Sequence, residues 1–104
     1  MLLETEIDLN RMQNSCAEAS RFLRSLSNPD RLTLLCELSQ GELCVGDLEE
    51  RTGVAQPTLS QQLSVLRREE LVATRRNGKQ IYYRIADSRV LTMLQSLHEM
   101  FCSE

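Results

Sequence analysis

One histidine in 104 residues is a small allowance for chemistry. His98 stands far along the chain from Cys36 and Cys44. A cysteine nucleophile therefore has no base nearby to activate it, and the chain is not expected to be an enzyme. No apolar run approaches the ~18 residues that a bilayer span requires, so no membrane partner is expected. The opening stretch, MLLETEIDLN, is acidic and lacks a basic region followed by an apolar block, unlike a secretory leader. The expected location is the cytoplasm, where Cys16, Cys36, Cys44 and Cys102 are reduced by default and a permanent disulfide framework is not expected. Internal repeats, linkers and low-complexity tracts are absent too. The reading is one domain over residues 1–104.

What is present is ordinary in amount and uneven in placement. Hydrophobic residues make up 41% and charged residues 26%, which suits a folded chain rather than a disordered one. The net charge of −3 argues against nucleic acid until it is mapped. Between Val54 and Arg84 stand six basic residues (Arg67, Arg68, Arg75, Arg76, Lys79, Arg84) against two acidic ones (Glu69, Glu70). The rest of the chain holds six basic and thirteen acidic residues. A basic segment on an acidic body fits a protein that meets a polyanion with one face.

Apolar periodicity supplies the elements. Leu9, Met12, Cys16, Ala19, Leu23 and Leu26 form a helical stripe over about residues 8–26, with Cys16 as a small packing residue. SNPDR then restarts the chain: Asn28 can cap, Pro29 suits the first helical position and Asp30 the N-terminal dipole. The second helix runs to about Leu38, with Leu32, Leu35 and Cys36 as inward candidates. Two short helices follow within residues 45–69, separated by a turn at Gly53. The second begins near Gln56 with Pro57 at its first position and carries Leu59, Leu63 and Leu66 as its core stripe. This is a helix-turn-helix pattern. The stretch LVATRRNGKQIYYRI reads as a hairpin over about residues 71–85, turning at Asn77-Gly78 and setting Arg76 opposite Lys79. Like charges so placed repel, and an anion would offset the repulsion. A last helix over about residues 87–102 carries Val90, Leu94, Leu97 and Phe101. The expected fold is mainly α with a small β-hairpin: a winged helix-turn-helix. A chain this small buries a modest core, and the apolar faces of its first and last helices suit a homodimer interface.

The polar face of the second short helix sets the candidate partner. Gln56, Thr58, Ser60, Gln61 and Ser64 can reach base edges in a major groove of double-stranded DNA, where Gln bonds adenine in bidentate fashion. Gln62, Arg67, Arg68, Arg75, Arg76 and Lys79 are candidates for phosphate contact, which gives affinity without sequence information.

SNPDRLTLLCEL together with GELCVGDLEERTGVAQPTLSQQLSVLRREELVATRRNGKQIYYRI resembles the ArsR/SmtB repressors over residues 20–102. The resemblance implies a dimeric winged-helix repressor that leaves its operator when an inducer binds. Metal- and arsenite-sensing members carry two thiolates one residue apart, and here Gly46 stands where the thiol after Cys44 would be. Zinc- and nickel-sensing members use Asp and His pairs on the last helix. Asp87 is present, but Arg89 replaces the expected histidine and Phe101 follows His98 by three. One imidazole with one carboxylate is thin for tetrahedral zinc, so no metal and no cofactor are expected. A subgroup, the BigR- and SqrR-like sulfur sensors, holds one cysteine in the second helix and one near the end of the last. Cys36 and Cys102 match both positions. The resemblance then implies a persulfide or related sulfur species as inducer, joining the two thiols through a disulfide or a longer sulfur bridge. Two alternatives stay open. One is a sensor of arsenite or a thiophilic metal through Cys16, Cys44 and Cys102; the other is a regulator that displaces a second DNA-binding protein.

Overall fold

The computed structural model describes residues 6–102. Helix α1 spans Leu9–Leu26 and starts where Asp8 accepts a hydrogen bond from the Arg11 amide at 3.1 Å. Helix α2, Pro29–Leu38, is capped by Asn28, whose side chain accepts from the Arg31 amide at 3.0 Å, with Pro29 in the first turn. A two-residue strand β1, Leu43–Cys44, leads into α3, Val45–Thr52, which ends at Gly53 in the left-handed region (φ +74°). Helix α4 spans Thr58–Arg68, and strands β2 (Val72–Asn77) and β3 (Gln80–Ile85) precede α5, Ser88–Cys102. Pro57 precedes α4 instead of opening it: Gln61 donates its amide to the Pro57 carbonyl, and Gln56 accepts from the Ser60 amide at 3.0 Å.

The sheet has three antiparallel strands in the order β1-β3-β2, one more than the expected hairpin. Leu43 pairs with Tyr83 and Cys44 with Tyr82, so the chain just before α3 is tied to the wing. Two residues give too short an alternation to be read from sequence. The hairpin register also differs from expectation. Asn77 lies opposite Gln80 and Arg76 opposite Ile81, leaving Gly78 and Lys79 as the two-residue loop. Gly78, at φ +63°, takes the first central position, the place for glycine in a type II′ turn. Arg76 and Lys79 are therefore not cross-strand partners, and the repulsion expected between them does not arise. The apolar end explains the choice of register. Val72 meets Ile85 at the base of the hairpin, where both pack on the core, whereas pairing Arg76 with Lys79 would set Ile85 opposite Glu70, outside the strand.

The core is almost wholly aliphatic: Leu26, Leu34, Leu35, Leu38, Leu43, Leu48, Val54, Leu59, Leu63, Leu66, Leu71, Val72 and Val90. Leu34 rather than Cys36 faces inward on α2, and Cys36 is exposed. Likewise the stripe on α1 is buried only at its end: Leu26 enters the core, while Leu9, Met12, Cys16 and Leu23 are exposed. No helix among the described residues is long and apolar enough to cross a membrane.

Candidate nucleic-acid interface and thiol pocket

Helix α4 is amphipathic by construction. Leu59, Leu63 and Leu66 are buried in the core, where α4 packs on α2 and β2, which turns Ser60, Gln61 and Ser64 to solvent. Gln56 is exposed and bonded to the start of the helix, and Thr58 is half-buried beside it. Arg67 and Arg68 end α4 with exposed side chains, where positive charge also suits the C-terminal dipole. Short hydroxyls and carboxamides on the outer face of the second helix, with arginines at its end, can read base edges and hold phosphates.

Two of the expected phosphate partners have other work. The Oε1 of Gln62 accepts from Arg31 Nη1 at 2.7 Å, tying α4 to α2. Arg75 makes a charged pair with Glu42 at 2.7 Å and lies 4.7 Å from the Tyr82 ring centroid. Glu42 immediately precedes β1, so this pair clamps the strand to the wing. The Arg75 hydrogen bond holds the Glu42 carboxyl below its usual range. Arg76, whose Nε donates to the Gly78 carbonyl at 3.1 Å, and Lys79 remain exposed at the wing tip. Arg31 carried no expectation at all. It also donates to the Ser25 and Arg24 carbonyls, at 2.7 and 3.1 Å, joining the end of α1 to α2 and α4. Such bonds span up to 31 positions and leave no local pattern in a sequence.

The thiols divide into two groups. Cys44 is half-buried on β1, and Cys16 is exposed on α1. Cys36 and Cys102 line one open pocket of about 300 Å³ with Leu32, Leu94, Leu97, His98 and Phe101. Burial pushes the Cys36 thiol up from its ordinary value, reinforced by the negative charges of Cys102 and Glu37. The shared lining, with Cys36 on α2 and Cys102 at the end of α5, is what brings the two thiols to one place. Among the described residues no three His, Cys, Asp or Glu side chains gather into a metal-binding group, so the trio Cys16, Cys44 and Cys102 is not assembled within one chain. Asp87 is bonded to Arg89 at 2.7 Å and accepts from the Arg89 amide at 2.9 Å, starting α5. The arginine in the expected histidine position therefore takes up the carboxylate that a metal would need.

A helix-turn-helix with an outward polar α4, followed by a basic hairpin, defines a winged-helix DNA-binding protein. Residues 28–74 match the family model for bacterial regulatory proteins of the arsR family. The chain is 45% identical over 93 residues to the biofilm growth-associated repressor of Xylella fastidiosa, covering 89% of this chain and 82% of that one. It is 36% identical over 96 residues to the transcriptional activator HlyU of Vibrio cholerae, covering 92% and 89%. The crystal structure of the transcriptional repressor BigR from Xylella fastidiosa superposes with a TM-score of 0.90 at 43% identity, over 94% of this chain and all of that one. The chain belongs to the ArsR family.

Proposed function

We propose that this ArsR-family protein is a dimeric operator-binding repressor, acting in the cytoplasm, whose hold on DNA is released when a persulfide links Cys36 to Cys102. The observation that carries the switch is the shared pocket between α2 and α5, lined by Cys36 from the one helix and Cys102 from the other. In the reaction, one thiolate attacks the outer sulfur of a small persulfide and expels the carrier thiolate, which takes up the proton. The second thiol then attacks the protein persulfide at the sulfur of its cysteine, forming the disulfide and releasing hydrogen sulfide. The dithiol is oxidised by two electrons and the persulfide is reduced. A direct disulfide needs Cα atoms within about 7 Å, a limit that retained sulfur atoms relax.

Coupling to DNA follows from packing. Leu34, Leu35 and Leu38 of α2 share the core with Leu59, Leu63 and Leu66 of α4, so restraining α2 against α5 restrains α4 against the body of the molecule. A tenfold release of operator needs only about 1.4 kcal/mol between the linked and reduced states. Leu9 and Leu23 on α1 with Leu91, Met100 and Phe101 on α5 stay exposed, Phe101 at 79%. These faces are the dimer surface, since exposed apolar groups of that size mark a contact. Both outcomes of DNA binding occur among similar proteins: one relative is described as a repressor and another as an activator.

The test is operator binding by fluorescence anisotropy before and after persulfide. Cys36→Ser and Cys102→Ser are expected to stay bound, and Cys16→Ser and Cys44→Ser to release. A Cys36→Ser protein that releases normally would remove the switch from this pocket.

A further inference from the structure

Four arginines from three helices converge on one cleft away from the thiols. Arg21 and Arg24 of α1, Arg31 of α2 and Arg68 of α4 line an open cavity of about 280 Å³ with Ser25, Val65 and Glu69. Glu69 is the one carboxylate there. Arg21 holds it with two hydrogen bonds, Nε at 2.6 Å and Nη2 at 3.1 Å, while Arg68 lies 3.8 Å away. Arg31 spends all three guanidinium nitrogens on the Ser25 carbonyl, the Arg24 carbonyl and Gln62. Arg24 has no salt bridge among the described residues, and its side chain is exposed. The cleft therefore carries a surplus of positive charge: Arg24 is unpaired among the described residues, and Arg68, in a 3.8 Å ion pair with a carboxylate already held by Arg21, keeps N–H groups for a further anion.

We propose that this cleft seats a phosphate of the operator backbone, gripped by Arg24 and Arg68 and shaped by Arg31 and the Arg21–Glu69 pair. Three features favour that occupant. Arg68 lies four positions after Ser64 and seven after Gln61 on α4, so it continues the exposed stripe that faces the bases. Arg68 also lines the cleft, so a strand of DNA along that stripe reaches one of the cleft's own residues. The C-terminal end of α1 would ordinarily repel an anion, but Arg31 covers the Arg24 and Ser25 carbonyls and cancels that end of the dipole. Finally, Arg24 and Arg68 present planar N–H forks suited to phosphate oxygens. The cleft extends the DNA contact beyond the recognition helix and wing to the junction of α1 and α2.

The experiment compares wild type with Arg24→Gln on operator and random duplexes across a salt series. Arg24 is exposed, so unchanged thermal melting serves as the folding control. Loss of one phosphate contact lowers the slope of log affinity against log salt by about 0.9 and weakens both duplexes alike. A scan of single uncharged methylphosphonates along the half-site adds the position. One site is expected where neutralisation weakens wild type about tenfold and leaves Arg24→Gln unaffected. An unchanged slope, or no site with that dependence, overturns the proposal. So does saturable, Arg24-dependent binding of inorganic phosphate with operator affinity intact, which would assign the cleft to a free anion.

Discussion

Glu69 shows how much a single side chain organises here. It anchors Arg21 directly, and its carboxyl is held below the ordinary range chiefly by the Arg21 hydrogen bond, opposed by desolvation and aided by the charges of Arg21, Arg68 and Arg24. A carboxylate with a depressed folded pKa contributes stability that is present above the unfolded value of about 4.3 and lost as pH falls through the folded value. Acidification from about pH 5 to pH 3 is thus expected to lower the melting temperature of wild type more than that of Glu69→Gln; equal slopes would contradict the assignment. Cys36 shifts the other way. Its thiol lies above the ordinary range, so its alkylation by iodoacetamide, followed by peptide mass spectrometry, is expected to keep rising with pH beyond that range. A plateau near neutrality would contradict that upward shift. Local residue chemistry was legible beforehand: Asn28 caps α2 and Pro29 opens it as their types demand. Arg31, Glu42 and Glu69 were not, because their partners are set only when separate helices and strands meet.

Elements were legible where their period is long. Leu59, Leu63 and Leu66 fix one face of α4 and so expose the opposite one. On α2 the short apolar run Leu34-Leu35-Cys36 offers more than one inward face, and only packing decides that Leu34 is buried and Cys36 exposed. Strand β1 is too short for a pattern, and the turn carries two residues that each suit a hairpin loop, so tertiary pairing at Val72 and Ile85 chose the register. The reading of α4 and the wing makes distinct demands. Gln61→Ala should cost about 1–3 kcal/mol at one operator position and relax base preference there. Arg76→Ala should weaken specific and random duplexes equally and flatten the salt slope by about one unit. Identical behaviour of the two variants on both duplexes would remove α4 from the recognition role.

The whole molecule is a small aliphatic core carrying two exposed apolar faces, one on α1 and one on α5. Leu23, exposed at 52% and remote from the thiol pocket, tests the dimer. Leu23→Glu is expected to sediment as a monomer and to lose operator affinity by at least about tenfold, because the half-sites then bind separately; a dimeric Leu23→Glu with full affinity would contradict the interface. The proposed switch joins these scales, from a thiol pair to a helix restraint to operator release. Its most direct measurement is mass mapping of persulfide-treated protein under non-reducing conditions, with operator affinity taken on the same sample. The expected result is a Cys36–Cys102 link within one chain, direct or sulfur-extended, with affinity lowered at least about tenfold and restored by reductant. Release of DNA without that link, or the link with affinity unchanged, would contradict it.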